Sequence, residues 1–189
     1  MAHSDNSVVT RKLQGTIGKE LVFREWDGKT VVAKAPGKRK GKPTAKQAET
    51  QEKFLLASRY ARGIINSADK SMAEAYATVL KPRQNVYSRA LADYISPPQV
   101  ISINTREYKG VVGDKIVVKA VDDFRVVNVR VEIYAANGTL LEAGNAAQNP
   151  DGFLFTYAAT QSNSTLAGSK IIAIATDVPN NEGTLEVTL

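Results

Sequence analysis

The chain has 189 residues, enough for one sizeable domain or two small ones, and its 43% hydrophobic content can supply packed cores. With no cysteine and a single histidine, it cannot build a disulfide framework, a thiol nucleophile, a cysteine-based zinc or iron–sulfur site, or a multi-histidine metal site, and a histidine-dependent triad is excluded with them. The net charge of +6 is unevenly spread: residues 1–98 carry 18 basic and 9 acidic side chains, whereas residues 99–189 carry 7 and 10.

The chain opens with MAHSDNSVVTRK, which holds the lone His3 and is expected to fray. This stretch lacks the apolar core of a secretory signal, and no apolar run approaches the roughly 20 residues that span a bilayer. Synthesis in the cytosol and no membrane span are the expectations.

Two β-rich runs, 21–26 and 29–34, flank Asp27-Gly28. Asp-Gly supplies the positive φ values of a two-residue hairpin turn, which pairs Trp26 with Lys29 and Arg24 with Val31 and places Trp26 at the hairpin end. Gly15 and Gly18 mark a turn or a close backbone approach before the first strand. The stretch GTIGKE lacks phosphate-loop spacing, so Lys19 carries no nucleotide-binding signal.

A basic strap follows, APGKRKGKPTAKQ, with Lys38, Arg39, Lys40 and Lys42 between glycines and prolines. Each cation can neutralise a phosphate, lie along an acidic neighbour, or remain solvated. The nearest aromatics, Phe23 and Trp26, read as core residues rather than a base-stacking platform.

Thr44 and Gln47 form a capping box behind Pro43 and predict a helix from residue 45, with a core face of Phe54, Ala57, Ala61, Ile64 and Ile65. Two shorter helices are predicted over 70–80, with Met72, Ala75, Tyr76 and Val79 inward, and over 85–95, with Val86, Ala90, Leu91 and Tyr94 inward. Tyr87 and Tyr94 share a face and read as packing residues.

Pro97-Pro98 removes two backbone donors and predicts a boundary between a domain over 1–96 and another over 97–189. Beyond it, seven short β-rich runs separated by Gly, Asn, Asp and Pro predict a sandwich, and Asn137-Gly138 marks a second hairpin. Asp114, Asp122, Asp123 and Asp177 fall in predicted turns; they lack calcium-loop spacing and read as turn residues. Adjacent Asp122 and Asp123 would point to opposite faces of a strand, which argues against paired-carboxylate catalysis. The fold expected is an α+β module, a hairpin plus about three helices, followed by an all-β sandwich.

The segments GTIGKELVFREWDGKTVVAKAP, KPTAKQ and NVYSRALADYI resemble a group of small Bacteroidota proteins of unassigned function, over roughly residues 10–95. The run GDKIVVKAVDDFRVVNVRVEIYAANGTLLEAG resembles bacterial immunoglobulin-like modules. The second resemblance implies an immunoglobulin-like sandwich of the kind frequent in surface proteins and in virions and phage-tail-like particles.

These readings converge on a non-catalytic structural or adaptor subunit of a larger assembly, with a phage-tail-like particle or contractile injection system as the specific expectation. Partner contacts are expected at Trp26, Lys38, Arg39, Lys40 and Lys42, the partners being protein subunits in an oligomeric assembly. The alternative is a nucleic-acid-associated protein binding phosphate through the basic N-terminal module. No catalytic residue, cofactor or metal is expected.

Overall fold

The computed structural model describes residues 13–26, 28–37 and 41–189, together with the backbone of residues 2 and 3. The described residues form three helices and three antiparallel four-stranded sheets, and strands predominate. It divides into two compact units, Met1–Thr44 and Ala45–Leu189.

The first unit is a single sheet in the order β1-β4-β3-β2, from β1 (Ala2–His3), β2 (Gly15–Ile17), β3 (Leu21–Trp26) and β4 (Lys29–Lys34). The β3–β4 register follows the turn chemistry, Trp26 opposite Lys29 and Arg24 opposite Val31. Gly28 takes the required positive φ of 74°; Asp27 lies outside the described residues. Gly18 and Lys19, both at positive φ, turn β2 into β3. His3, expected to fray, instead pairs with Val31 of β4.

The second unit begins with α1 (Ala45–Asn66), α2 (Ser71–Ala77) and α3 (Val86–Ile95). Helix α3 starts at a capping box: the Asn85 side chain accepts from the Ser88 backbone N–H at 2.8 Å, and the Asn85 backbone N–H donates to Ser88 Oγ at 3.0 Å. Ala61, Tyr76 and Ala90 form the buried centre of the helices, and Ile64, Met72, Val86 and Leu91 pack around it. Phe54, Ile65 and Val79, expected inside, are 53%, 37% and 38% exposed. The helical period is right for Ala57 and Ala61, but α1 extends beyond the elements that pack on it.

Two sheets complete this unit, ordered β5-β6-β10-β9 and β12-β11-β7-β8. Their strands are β5 (Gln99–Asn104), β6 (Lys115–Val121), β7 (Val126–Tyr134), β8 (Leu140–Asn145), β9 (Ala147–Gln148), β10 (Leu154–Ala158), β11 (Lys170–Asp177) and β12 (Glu182–Thr188). Alternate residues of both sheets fill one apolar core, with Ile116, Val118 and Phe155 from one and Val129, Val131, Ile133, Ile171 and Ala173 from the other. Each fully buried aliphatic side chain contributes on the order of 1.5–3 kcal/mol, which makes this core the main source of stability. The β7–β8 hairpin closes through Gly138 at φ 84°, with Thr139 N–H bonded to the Asn137 side chain at 3.0 Å.

The units divide at residues 44 and 45 and not at the border expected at 96 and 97. Pro97-Pro98 does mark the change from helix to strand, but contacts distant in sequence bind the helices to the strands. Phe124, between β6 and β7, stacks on Tyr76 of α2 with ring centroids 4.1 Å apart. At Gly183 of β12 a Cβ would lie 1.8 Å from the Pro98 carbonyl oxygen, so β12 passes the start of β5 with no room for a side chain.

Candidate functional site

Three features stand out from the scaffold: a cationic hairpin, an exposed helical segment, and a buried polar network. The hairpin lies in the first unit. Strand register places Val22, Arg24 and Trp26 of β3 on the same face as Ala33, Val31 and Lys29 of β4, and Phe23 and Glu25 on the other face with Val32 and Thr30. Phe23 is buried at 7% exposure, as expected. Trp26, read from sequence as core, is 66% exposed, at the last position of its strand. Lys42 is exposed. Lys38, Arg39 and Lys40 lie outside the described residues.

The division into units also redistributes the charge. Residues 1–44 hold ten Lys/Arg and four Asp/Glu, a net of +6, whereas residues 45–189 hold fifteen of each and are formally neutral. The entire net charge therefore belongs to the first unit.

In the second unit, residues 45–56 of α1 are all exposed. Phe54, Leu55 and Leu56 lie in this stretch at 53%, 51% and 42% exposure. Phe54 and Ile95 line a cavity of about 200 Å³ rimmed by Lys46, Glu49, Thr50 and Lys53. The buried residues of α1 are Ala57, Ser58 and Ala61.

The polar network joins all three helices to the strand turns. Tyr76 of α2 donates to Asp93 Oδ2 of α3 at 2.6 Å, and its hydroxyl lies 3.0 Å from the hydroxyl of Tyr60 in α1. Arg89, one turn before Asp93, donates to the Asp123 backbone carbonyl. Asn181, after β11, donates from one amide to the carbonyls of Asp93 and Tyr94 at 3.4 and 3.2 Å and to Asp177 Oδ2 at 2.7 Å. Arg89, Asp93 and Asp177 are all 2% exposed or less. Burial pushes the Asp93 carboxyl up to about 6, reinforced by the carboxylates of Asp122 and Asp177 and opposed by the Tyr76 hydrogen bond and Arg89. Burial likewise raises Asp177, and it holds Tyr76 above the ordinary tyrosine range. Asp93 Oδ1, Asp122 Oδ1 and Arg89 Nε are buried without a hydrogen-bond partner.

Turn aspartates serve the turns, as their sequence context predicts. Asp122 Oδ2 accepts from the backbone N–H groups of Phe124 and Arg125 at 2.8 and 2.9 Å. Asp114 Oδ2 accepts from Val111 and Lys109, and these bonds hold its carboxyl below the usual range. Among the described residues, no group of three or more His, Cys, Asp or Glu could hold a metal ion, and no helix is long and apolar enough to cross a membrane. Tyr87 bonds Ser58 at 2.9 Å and the Tyr94 ring lies 5.3 Å from that of Tyr60, so both pack within the helices. Sequence reading passed over Arg89 and Asp93. The available signal was two opposite charges four residues apart, flanking the inward Ala90.

The chain matches no family model and no curated protein sequence. Among solved structures, a crystal structure of an engineered protein from a structural genomics consortium is similar at 18% identity and a TM-score of 0.32, over 58% of this chain and 27% of that one.

Proposed function

We propose that the chain is a non-catalytic structural or adaptor subunit of a larger protein assembly. The observation that carries this reading is α1, whose residues 45–56 are exposed throughout while holding Phe54, Leu55 and Leu56. A helical segment of this length gains little stability in water without packing, and clustered apolar groups beside a cavity mark a contact surface. The carboxylates fit the same reading, being used in turns and in the network that fixes the helices. The specific assembly drawn from the resemblance, a phage-tail-like particle or contractile injection system, remains part of the proposal.

The two-sheet body is read as immunoglobulin-like. Its strand orders, β5-β6-β10-β9 and β12-β11-β7-β8, correspond to the A-B-E-D and G-F-C-C′ arrangement of that class. With no cysteine in the chain, aliphatic packing replaces the inter-sheet disulfide.

The test is a Phe54→Ser/Leu55→Ser double variant expressed in the native host. Both positions are more than half exposed, so the fold should survive with little loss of stability. Wild-type chain should co-sediment with a high-mass particle and the variant should return to the light fractions. A wild type that sediments only as a free chain would sink the reading.

Nucleic-acid association through the first unit is a second reading, supported by a separate observation: the whole net charge lies within residues 1–44.

A further inference from the structure

The exposed stretch of α1 continues a face that is buried further along the same helix. Positions 46, 50, 53, 54, 57 and 61 recur at the spacing of one helix face, and on it Ala57 and Ala61 are fully buried. Toward the N-terminus this face opens into the cavity of about 200 Å³, where Phe54 meets Ile95, the last residue of α3.

Three properties define what fits there. The open stretch, residues 45–56, is about 18 Å long at 1.5 Å per residue, or about three helical turns. It is the uncovered continuation of a helix-on-helix contact, since at Ala61 the same face packs with Tyr76 of α2 and Ala90 of α3. Its charge is one-sided: Lys46 and Lys53, seven residues apart, rim the cavity, and Glu49 is the one carboxylate among the lining residues.

We propose that this face binds an amphipathic helix of a partner protein, whose apolar stripe seats on Phe54 and Ile95 and whose flanking carboxylates face Lys46 and Lys53. The inference rests on the assembly reading above and deepens it, from a contact surface to a class of partner. A second copy of this chain is a poorer occupant, because a two-fold contact sets the surface against itself and brings the lysine rim of one copy to that of the other.

The experiment titrates the full chain into two labelled synthetic peptides as long as the open stretch, both held helical by a side-chain lactam. Both carry the same leucine stripe, one flanked by glutamates and the other by lysines. Anisotropy should show saturable binding of the glutamate-flanked peptide, about tenfold or more tighter than the lysine-flanked one. Phe54→Ala should weaken that binding about tenfold or more, and Lys46→Glu/Lys53→Glu should reverse the order of the two peptides, each variant with an unchanged circular dichroism spectrum. Equal binding of both peptides would overturn the acidic partner, and a dimer of the chain alone that Phe54→Ala dissolves would assign the face to a second copy. Binding of neither peptide would overturn the helix partner, while co-sedimentation of the wild type with a particle would leave the assembly reading standing. A wild type that sediments only as a free chain yet binds the glutamate-flanked peptide would sink the assembly reading alone.

Discussion

Replacing Arg89 by alanine is expected to destabilise the 45–189 unit by about 3–5 kcal/mol, the cost of removing one partner from a buried charged network. Arg89 is 2% exposed, and its guanidinium bonds the Asp123 carbonyl while lying in the field of Asp93. Its loss leaves the Asp123 carbonyl without that donor and the buried Asp93 carboxyl without the cation that opposes its raised value. Chemical denaturation at pH 7 would measure the effect. A loss below about 1 kcal/mol would mean that the guanidinium is replaceable by water and that the network does not hold α3 to the strands.

The second large effect concerns pH. Asp93 faces Tyr76 from α2, Tyr60 beyond it on α1, Arg89 from its own helix, and Asp122 and Asp177 from the strand turns. Its folded value is about 6 against an ordinary 3.8. Between these values the native state holds a proton that the unfolded chain has released, so this group's contribution is fully present below about pH 4. It is lost as pH rises through 6, by roughly 2–3 kcal/mol at most. The raised Asp177 acts in the same direction. Asp93→Asn keeps an acceptor for the Tyr76 hydroxyl and removes the buried charge. The variant should therefore match wild type near pH 4 and exceed it by roughly 2–3 kcal/mol at pH 8, with a residual slope from Asp177. Equal destabilisation at both pH values would show that the carboxylate is needed for its geometry and that its ionisation costs nothing.

Local signals were legible where local chemistry decides the structure. Asp27-Gly28 set the β3–β4 register, Asn137-Gly138 marked the β7–β8 hairpin, and the helical period named Ala57, Ala61 and Ala90 as inward. The two-residue strand β9 gave no sequence pattern long enough to read. Phe54 repeats with the core face of α1 yet is left half exposed by the described residues, since periodicity orients a helix without saying how much of it is covered. Trp26 misled for a related reason, because composition favours burial and says nothing of its place at the end of β3.

The candidate surfaces were half visible. The basic strap and Trp26 stood out in the sequence, whereas the sorting of charge into one unit did not, because the border had been set at the prolines. Asn181 meets the carbonyls of Asp93 and Tyr94 across 88 and 87 residues, and no spacing rule reaches that far. Once those bonds are known, the helices belong with the strands, the first unit holds the entire net charge, and the two functional readings attach to different parts of the chain.

That partition underlies both readings, and limited proteolysis of the full chain with a broad-specificity protease tests it most directly. Residues 35–37 and 41–44 belong to no helix or strand, and α1 is exposed as far as residue 56. The first cuts should therefore fall before Ala57 and leave one resistant fragment that holds both sheets of the second unit, from the later turns of α1 to Leu189, and unfolds in a single transition. A folded fragment released by cleavage at residues 96–99, with α1, α2 and α3 digested away, would contradict the account.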